Sequence, residues 1–203
     1  MKAPNYILTA MLKIDRSGFL VGARFIASPN CDERPPELDL HIPLLVIHSI
    51  SLPPREYGSI DVIDFFTNRL DAKKHPYFEL IADLKVSAHF FIRRDGEIIQ
   101  FVSCNRRAWH AGVSAWRDRQ RCNDYSIGIE LEGSDDEPFA DSQYEKLAEL
   151  TQAIQAAYPI EDVVGHADIA PVRKTDPGPN FDWQRFREMT GAWGNADLLH
   201  RSG

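Results

Sequence analysis

Leu44-Leu45-Val46-Ile47 runs straight into His48, and this stretch most constrains what the chain can become. A continuous apolar run rich in branched residues reads as a strand covered on both faces, so it demands packed layers on either side. Other strand signals surround it. Val86 to Arg93, then Asp95-Gly96, then Glu97 to Val102 predicts a hairpin, with Asp-Gly supplying the tight turn. Ser126 to Glu132 alternates apolar and polar positions, and Val163-Val164-Gly165 is a short strand ending at His166.

Helices are predicted between these strands. Ile60, Ile63, Phe66 and Leu70 recur at helical spacing. Asp141 is placed to cap a helix whose apolar stripe is Tyr144, Leu147, Leu150, Ile154 and Tyr158. Asp182 is placed to cap a last helix through Phe186 and Met189. Strands interleaved with helices, plus one antiparallel hairpin, predict an α/β fold: a single domain with a central mixed β-sheet flanked by helices. The expected domain spans 25–190, with 1–24 a peripheral N-terminal segment and 191–203 a loosely held tail. The short Pro-containing stretches are turns within it, not linkers.

Composition removes several function classes. A chain of 203 residues with 43% hydrophobic and 26% charged residues is long enough for a core without staples. Its net charge of −7 argues against a nucleic-acid partner, although Arg117, Arg119 and Arg121 form a local basic cluster suited to an acidic small molecule. Cys31, Cys104 and Cys122 share no C-x-x-C spacing, which points to reduced, unpaired thiols. The apolar stretch Tyr6 to Leu12 is broken by Lys13, Asp15 and Arg16, so neither a signal peptide nor a membrane span of roughly 20 apolar residues is read. The expectation is a cytoplasmic protein with no membrane and no obligate protein partner.

Chemistry concentrates at strand ends. Among seven histidines, His48 and His166 each follow an apolar strand, where a sheet positions functional groups rigidly. Asp176 follows in Arg173-Lys174-Thr175-Asp176-Pro177-Gly178-Pro179. Two imidazoles and a carboxylate make a three-ligand zinc site with a fourth position for water, with Asp168 competing for the carboxylate role. Glu130 sits on the face of its strand opposite Ile129 and Leu131. A general base beside a metal gives a carboxylate a reason to be buried there, whereas an edge strand would leave it in solvent. Lys174 has the charge to stabilise an oxyanion.

Several segments together resemble a known family. They are Val46 to Pro54, Val86-Ser87-Ala88-His89, Arg93 to Ile98, Ala108-Trp109-His110-Ala111-Gly112-Val113-Ser114, Arg121 to Asp124, Ser126 to Gly133 and Lys174 to Pro179. In this order they are similar to the cytoplasmic 1,6-anhydro-N-acetylmuramoyl-L-alanine amidases of the type 2 amidase and peptidoglycan-recognition superfamily, from about Ala27 to about Arg187. The resemblance implies one zinc per chain held by His48, His166 and Asp176, Glu130 as general base and Lys174 as the oxyanion-facing cation. It implies hydrolysis of the amide joining the lactyl group of anhydro-N-acetylmuramic acid to L-alanine of the stem peptide during peptidoglycan recycling. The anhydromuropeptide would also meet Arg121 and Lys85 through diaminopimelate carboxylates, and Ser49, Trp109 and His110 near the sugar or peptide. Lys85 stands where relatives can have arginine, losing the bidentate fork. Ser49 stands where close relatives can have asparagine. His89 is assigned to structure or an outer substrate contact.

Overall fold

The computed structural model describes residues 11–191. Among the described residues ten strands occur in chain order: β1 (Arg24–Phe25), β2 (Cys31–Glu33), β3 (Leu44–Ile50), β4 (Phe90–Ile92), β5 (Ile98–Gln100), β6 (Arg106–Ala108), β7 (Ala115–Trp116), β8 (Arg119–Gln120), β9 (Ser126–Glu132) and β10 (Asp162–Gly165). The α-helices are α1 (Asp61–Phe66), α2 (Pro76–Ile81), α3 (Asp141–Ala157), α4 (His166–Ile169) and α5 (Trp183–Thr190). Six strands form one mixed sheet in the order β1-β5-β4-β9-β3-β10, and β2–β6 and β7–β8 are small antiparallel ribbons. The hairpin β4–β5 is antiparallel, while β4–β9, β9–β3 and β3–β10 pair in parallel.

The α/β reading is therefore what the chain adopts. β3 lies between β9 and β10, and Leu44 to Ile47 are at most 1% exposed, as a run without alternation requires. β9 does alternate, yet every one of its residues is buried. Parity sorts the two faces. Leu45, Ile47, Ile127, Ile129 and Leu131 share a cluster with Tyr144, Leu147, Leu150 and Ile154 of α3 and Phe186 of α5. Period 2 then turns His48, Ser126, Gly128 and Glu130 to the opposite face. On that side Phe91 and Ile99 pack with Val62, Ile63, Phe65 and Phe66 of α1. Leu147 is fully buried at the centre of the α3 stripe. Leu147→Ala is expected to lower unfolding free energy by about 2–5 kcal/mol in urea titrations, with activity per folded molecule unchanged.

Four details differ from expectation, the first being that α1 ends at Phe66 instead of reaching Leu70, with Ile60 exposed before it. The first domain boundary is not clean, because Ile14 and Leu20 belong to the core, and Leu20 N–H donates to Gln100 Oε1 at 2.8 Å. Ile14 and Leu20 thus pack into the domain, while most of residues 11–24 are exposed or half-buried; the rest of that segment and the tail beyond Gly191 fall outside the described residues. Asp141 is the first helical residue of α3, not its cap. Gln143 Oε1 instead accepts from Ala140 N–H at 3.0 Å, and Asp141 pairs with Arg185 at 2.6 Å. Asp182 does cap α5, accepting from Arg185 N–H at 2.9 Å. The short α2 was not foreseen; His75 caps it and Pro76 starts it, but six residues are too few for a periodic stripe to register.

Candidate active site

Parallel pairing brings the site together. In the β3–β9 register His48 stands directly beside Glu130, and β10 next door ends at Gly165, so that His166 opens α4. These are the carboxyl ends of parallel strands, where an open α/β sheet binds its ligand. Asp176 arrives from the following loop, tied back by Ala167 N–H donating to Asp176 O at 2.9 Å. Gly165 permits this approach, since a Cβ there would come 2.8 Å from Pro177 Cδ.

Three ligand atoms converge. His48 Nδ1 lies 2.9 Å from His166 Nδ1, and Asp176 Oδ2 lies 3.2 Å and 3.1 Å from these two nitrogens. His166 Nε2 faces the Ala111 carbonyl at 3.2 Å. A carbonyl only accepts, so the proton of a neutral His166 sits on Nε2 and its Nδ1 lone pair points at Asp176. Burial, with His166 beside it, pushes the His48 imidazole down to about 4. Two imidazole nitrogens and one carboxylate oxygen, all within 4.8 Å, fit a divalent cation. Asp168 takes no part, because its Oδ2 accepts from Gly165 N–H at 2.7 Å.

Glu130 is buried on a central strand, which removes the solvent-facing alternative. Its Oε1 lies 4.0 Å from His48 Nδ1, and its Oε2 has no hydrogen-bond partner among the described residues. Burial, then the charge of Asp176, raises its pKa well above the ordinary glutamate value, against the pull of Lys174. His166, Asp176, Glu130 and Lys174 open together into a cleft of about 500 Å³ whose apolar arm includes Leu52, Phe65, Tyr77 and Leu84. That apolar arm went unread in the sequence, because α2 supplies part of it.

The expected substrate contacts divide. Ser49 lines the cleft; Lys85 and Arg121 are exposed and lie outside its lining. Arg121 pairs with Asp124 at 3.0 Å, Arg117 pairs with Asp162 at 2.9 Å, and Arg119 lies 3.9 Å over the Tyr125 ring, so the basic cluster is engaged within the fold. Trp109 Nε1 donates to Asp32 Oδ1 at 3.1 Å. His110 is buried against His48 and is among the residues that line the cleft. Burial, followed by its neighbour His48, drives the His110 pKa well below the ordinary value, so the ring is neutral. His89 is structural: its Nδ1 accepts from Gly128 N–H and its Nε2 donates to the Arg106 carbonyl, both at 3.0 Å. Cys31, Cys104 and Cys122 are free thiols. No helix among the described residues is long and apolar enough to cross a membrane.

Comparison with known proteins agrees with this geometry. The N-acetylmuramoyl-L-alanine amidase family matches residues 39–179. The 1,6-anhydro-N-acetylmuramyl-L-alanine amidase AmpD of Escherichia coli (strain K12) is 55% identical over 175 residues, covering 85% of this chain and 94% of the relative. A crystal structure of a selenomethionine AmpD derivative superposes with a TM-score of 0.82 at 54% identity, covering 85% of this chain and 97% of the other. The E. coli amidase AmiD, solved with the substrate anhydro-N-acetylmuramic acid-L-Ala-D-γ-Glu-L-Lys, matches with a TM-score of 0.55 at 33% identity, covering 95% and 73% of the two chains.

Proposed function

This chain belongs to the N-acetylmuramoyl-L-alanine amidase family, and from that premise we propose that it cleaves the amide between anhydro-N-acetylmuramic acid and L-alanine with one zinc held by His48, His166 and Asp176, Glu130 as general base and Lys174 facing the oxyanion. The observation that carries this reading is a three-ligand cluster beside a buried carboxylate that keeps one oxygen without a partner among the described residues. When bound, zinc supplies Lewis-acid polarisation of the lactyl carbonyl and lowers the pKa of water.

The chain's own residues do the rest. Glu130 takes the proton of the attacking water through Oε2 as the water oxygen joins the lactyl carbonyl carbon. It then delivers that proton to the L-alanine nitrogen as the C–N bond breaks, and no bond to the protein is formed. Lys174 brings positive charge to the carbonyl oxygen as it becomes negative. The apolar arm limits water around both charges, which strengthens their effect on the transition state. Ser49 is assigned to the substrate because it lines the cleft. Trp109 and His110 are likewise assigned near the substrate, and Lys85 and Arg121 to carboxylates of a stem peptide that extends past the rim.

The substrate is an anhydromuropeptide, a reading supported by the substrate bound to the related AmiD. We assign the reaction to the cytoplasm, where free thiols such as Cys31, Cys104 and Cys122 persist. The catalytic unit is assigned to 25–190, with 11–24 packed onto it. Zinc-loaded protein incubated with anhydromuramoyl-peptide is expected to yield free stem peptide and anhydro-N-acetylmuramic acid by mass spectrometry. Substrate that stays intact in the presence of zinc-loaded protein overturns the reading.

A further inference from the structure

His110 has a part that the chemistry above does not use. Its Nδ1 lies 3.0 Å from His48 Nε2, and its Nε2 lies 3.1 Å from Ser126 Oγ. The His48 and His110 rings meet edge to face with centroids 5.0 Å apart. Beneath His110 the strand β9 carries glycine: a Cβ at Gly128 would come 2.5 Å from His110 Cγ. The sheet is notched where this ring sits.

The protons along this line can be counted. Ser126 Oγ spends its one hydrogen on the Cys122 carbonyl at 2.6 Å, so toward His110 it can only accept. His110 must then carry its proton on Nε2, which leaves Nδ1 an acceptor. An acceptor at that position obliges His48 to keep its own proton on Nε2. His48 Nδ1 is left bare, facing His166 Nδ1 at 2.9 Å and Asp176 Oδ2 at 3.2 Å.

We infer that the Cys122 carbonyl, Ser126 and His110 form a proton-ordered relay in which His110 is a positioning residue, holding His48 in the one tautomer that can ligate metal through Nδ1. Gly128 is the notch that seats it. His166 reaches the same tautomer directly, from the Ala111 carbonyl. Partners behind a ligating imidazole fix its orientation and tautomer, and their loss weakens metal binding by about 10- to 100-fold. The inference rests on the zinc reading of the site.

Two substitutions separate this role from packing. His110→Phe keeps the ring's bulk and removes the acceptor; His110→Asn keeps an acceptor near the Nδ1 position and loses bulk. In equilibrium competition with a chelator, His110→Phe is expected to bind zinc about 10- to 100-fold more weakly than the parent, and His110→Asn to lose less. Long-range ¹H–¹⁵N correlation on the zinc-loaded parent is expected to show His110 protonated at Nε2 and bare at Nδ1. A His110→Phe variant that binds zinc as tightly as the parent overturns the relay, as does a proton found on His110 Nδ1. If His110→Phe does not fold, the parent's tautomer decides alone. A parent that binds no zinc overturns the metal reading and the relay with it, which tells the two failures apart.

Discussion

Glu130→Gln is expected to keep one zinc per chain and to lower turnover by about a hundredfold or more. The amide preserves the side chain's shape between β3 and β4, so metal binding by His48, His166 and Asp176 should survive. What it lacks is a basic oxygen at Oε2, which has no hydrogen-bond partner among the described residues and is proposed to take the water's proton. The pH profile gives a second view of the same group. Its pKa is raised by burial and by Asp176, so Glu130 stays protonated to higher pH than an ordinary glutamate. A protonated carboxyl accepts no proton, so kcat/KM of the zinc-loaded parent is expected to fall with falling pH as Glu130 takes up its proton, a limb that Glu130→Gln should lose.

Stability carries the opposite sign. The metal-free fold holds the Glu130 proton more tightly than the unfolded chain does. That contribution is complete below the unfolded pKa of about 4.3 and is lost as pH rises through the raised folded value. Metal-free Glu130→Gln should therefore melt at a higher temperature than the metal-free parent at neutral pH. Thermal melts with chelator across pH, together with single-turnover assays, check both statements. Near-normal turnover in Glu130→Gln removes Glu130 from the role of base.

Asp176→Ala is expected to be equally severe by another route. Its Oδ2 is the anionic member of the trio and the atom that faces both imidazole nitrogens. Without it two neutral nitrogens remain, and the site loses both a ligand and the negative charge that offsets a divalent cation. Metal analysis should find the variant without zinc, and hydrolysis should fall to background. Chelation of the parent should do the same, with activity returning when zinc is added back. Ligand linkage offers a readout apart from activity: zinc at 100 times its Kd should stabilise the parent by about 2.7 kcal/mol and leave Asp176→Ala unchanged. Full activity in chelated parent protein would sink the metal reading.

Some of the molecule is legible in the residues because the cause is local. The apolar run of β3, the Asp-Gly turn between β4 and β5, the stripe of α3 and the Asp182 cap of α5 each follow from side-chain periodicity or turn chemistry within a few residues. α2 was not visible because one short turn of helix has no period to detect. The core role of Ile14 and Leu20 was missed for a different reason: what buries them is a bond to Gln100 and the packing of distant strands. The motif around His110 places it near the substrate, and it does line the cleft; what the motif does not reveal is that its ring also meets His48 and Ser126, on two different strands.

His48 shows where the two kinds of information divide. The residues from Leu44 to His48 by themselves determined a buried strand with an imidazole at its end, because branched apolar side chains favour that state wherever both faces are covered. Alternation along β9 likewise determined that Ser126, Gly128 and Glu130 share a face. Only the tertiary structure decided that this face is buried, that Glu130 stands in register beside His48, and that Asp176 closes the site. Those are nonlocal facts, set by which strands pair in parallel and by how closely a loop can pass over Gly165. The tautomer of His48 is decided still further away, by the proton that Ser126 gives to the Cys122 carbonyl.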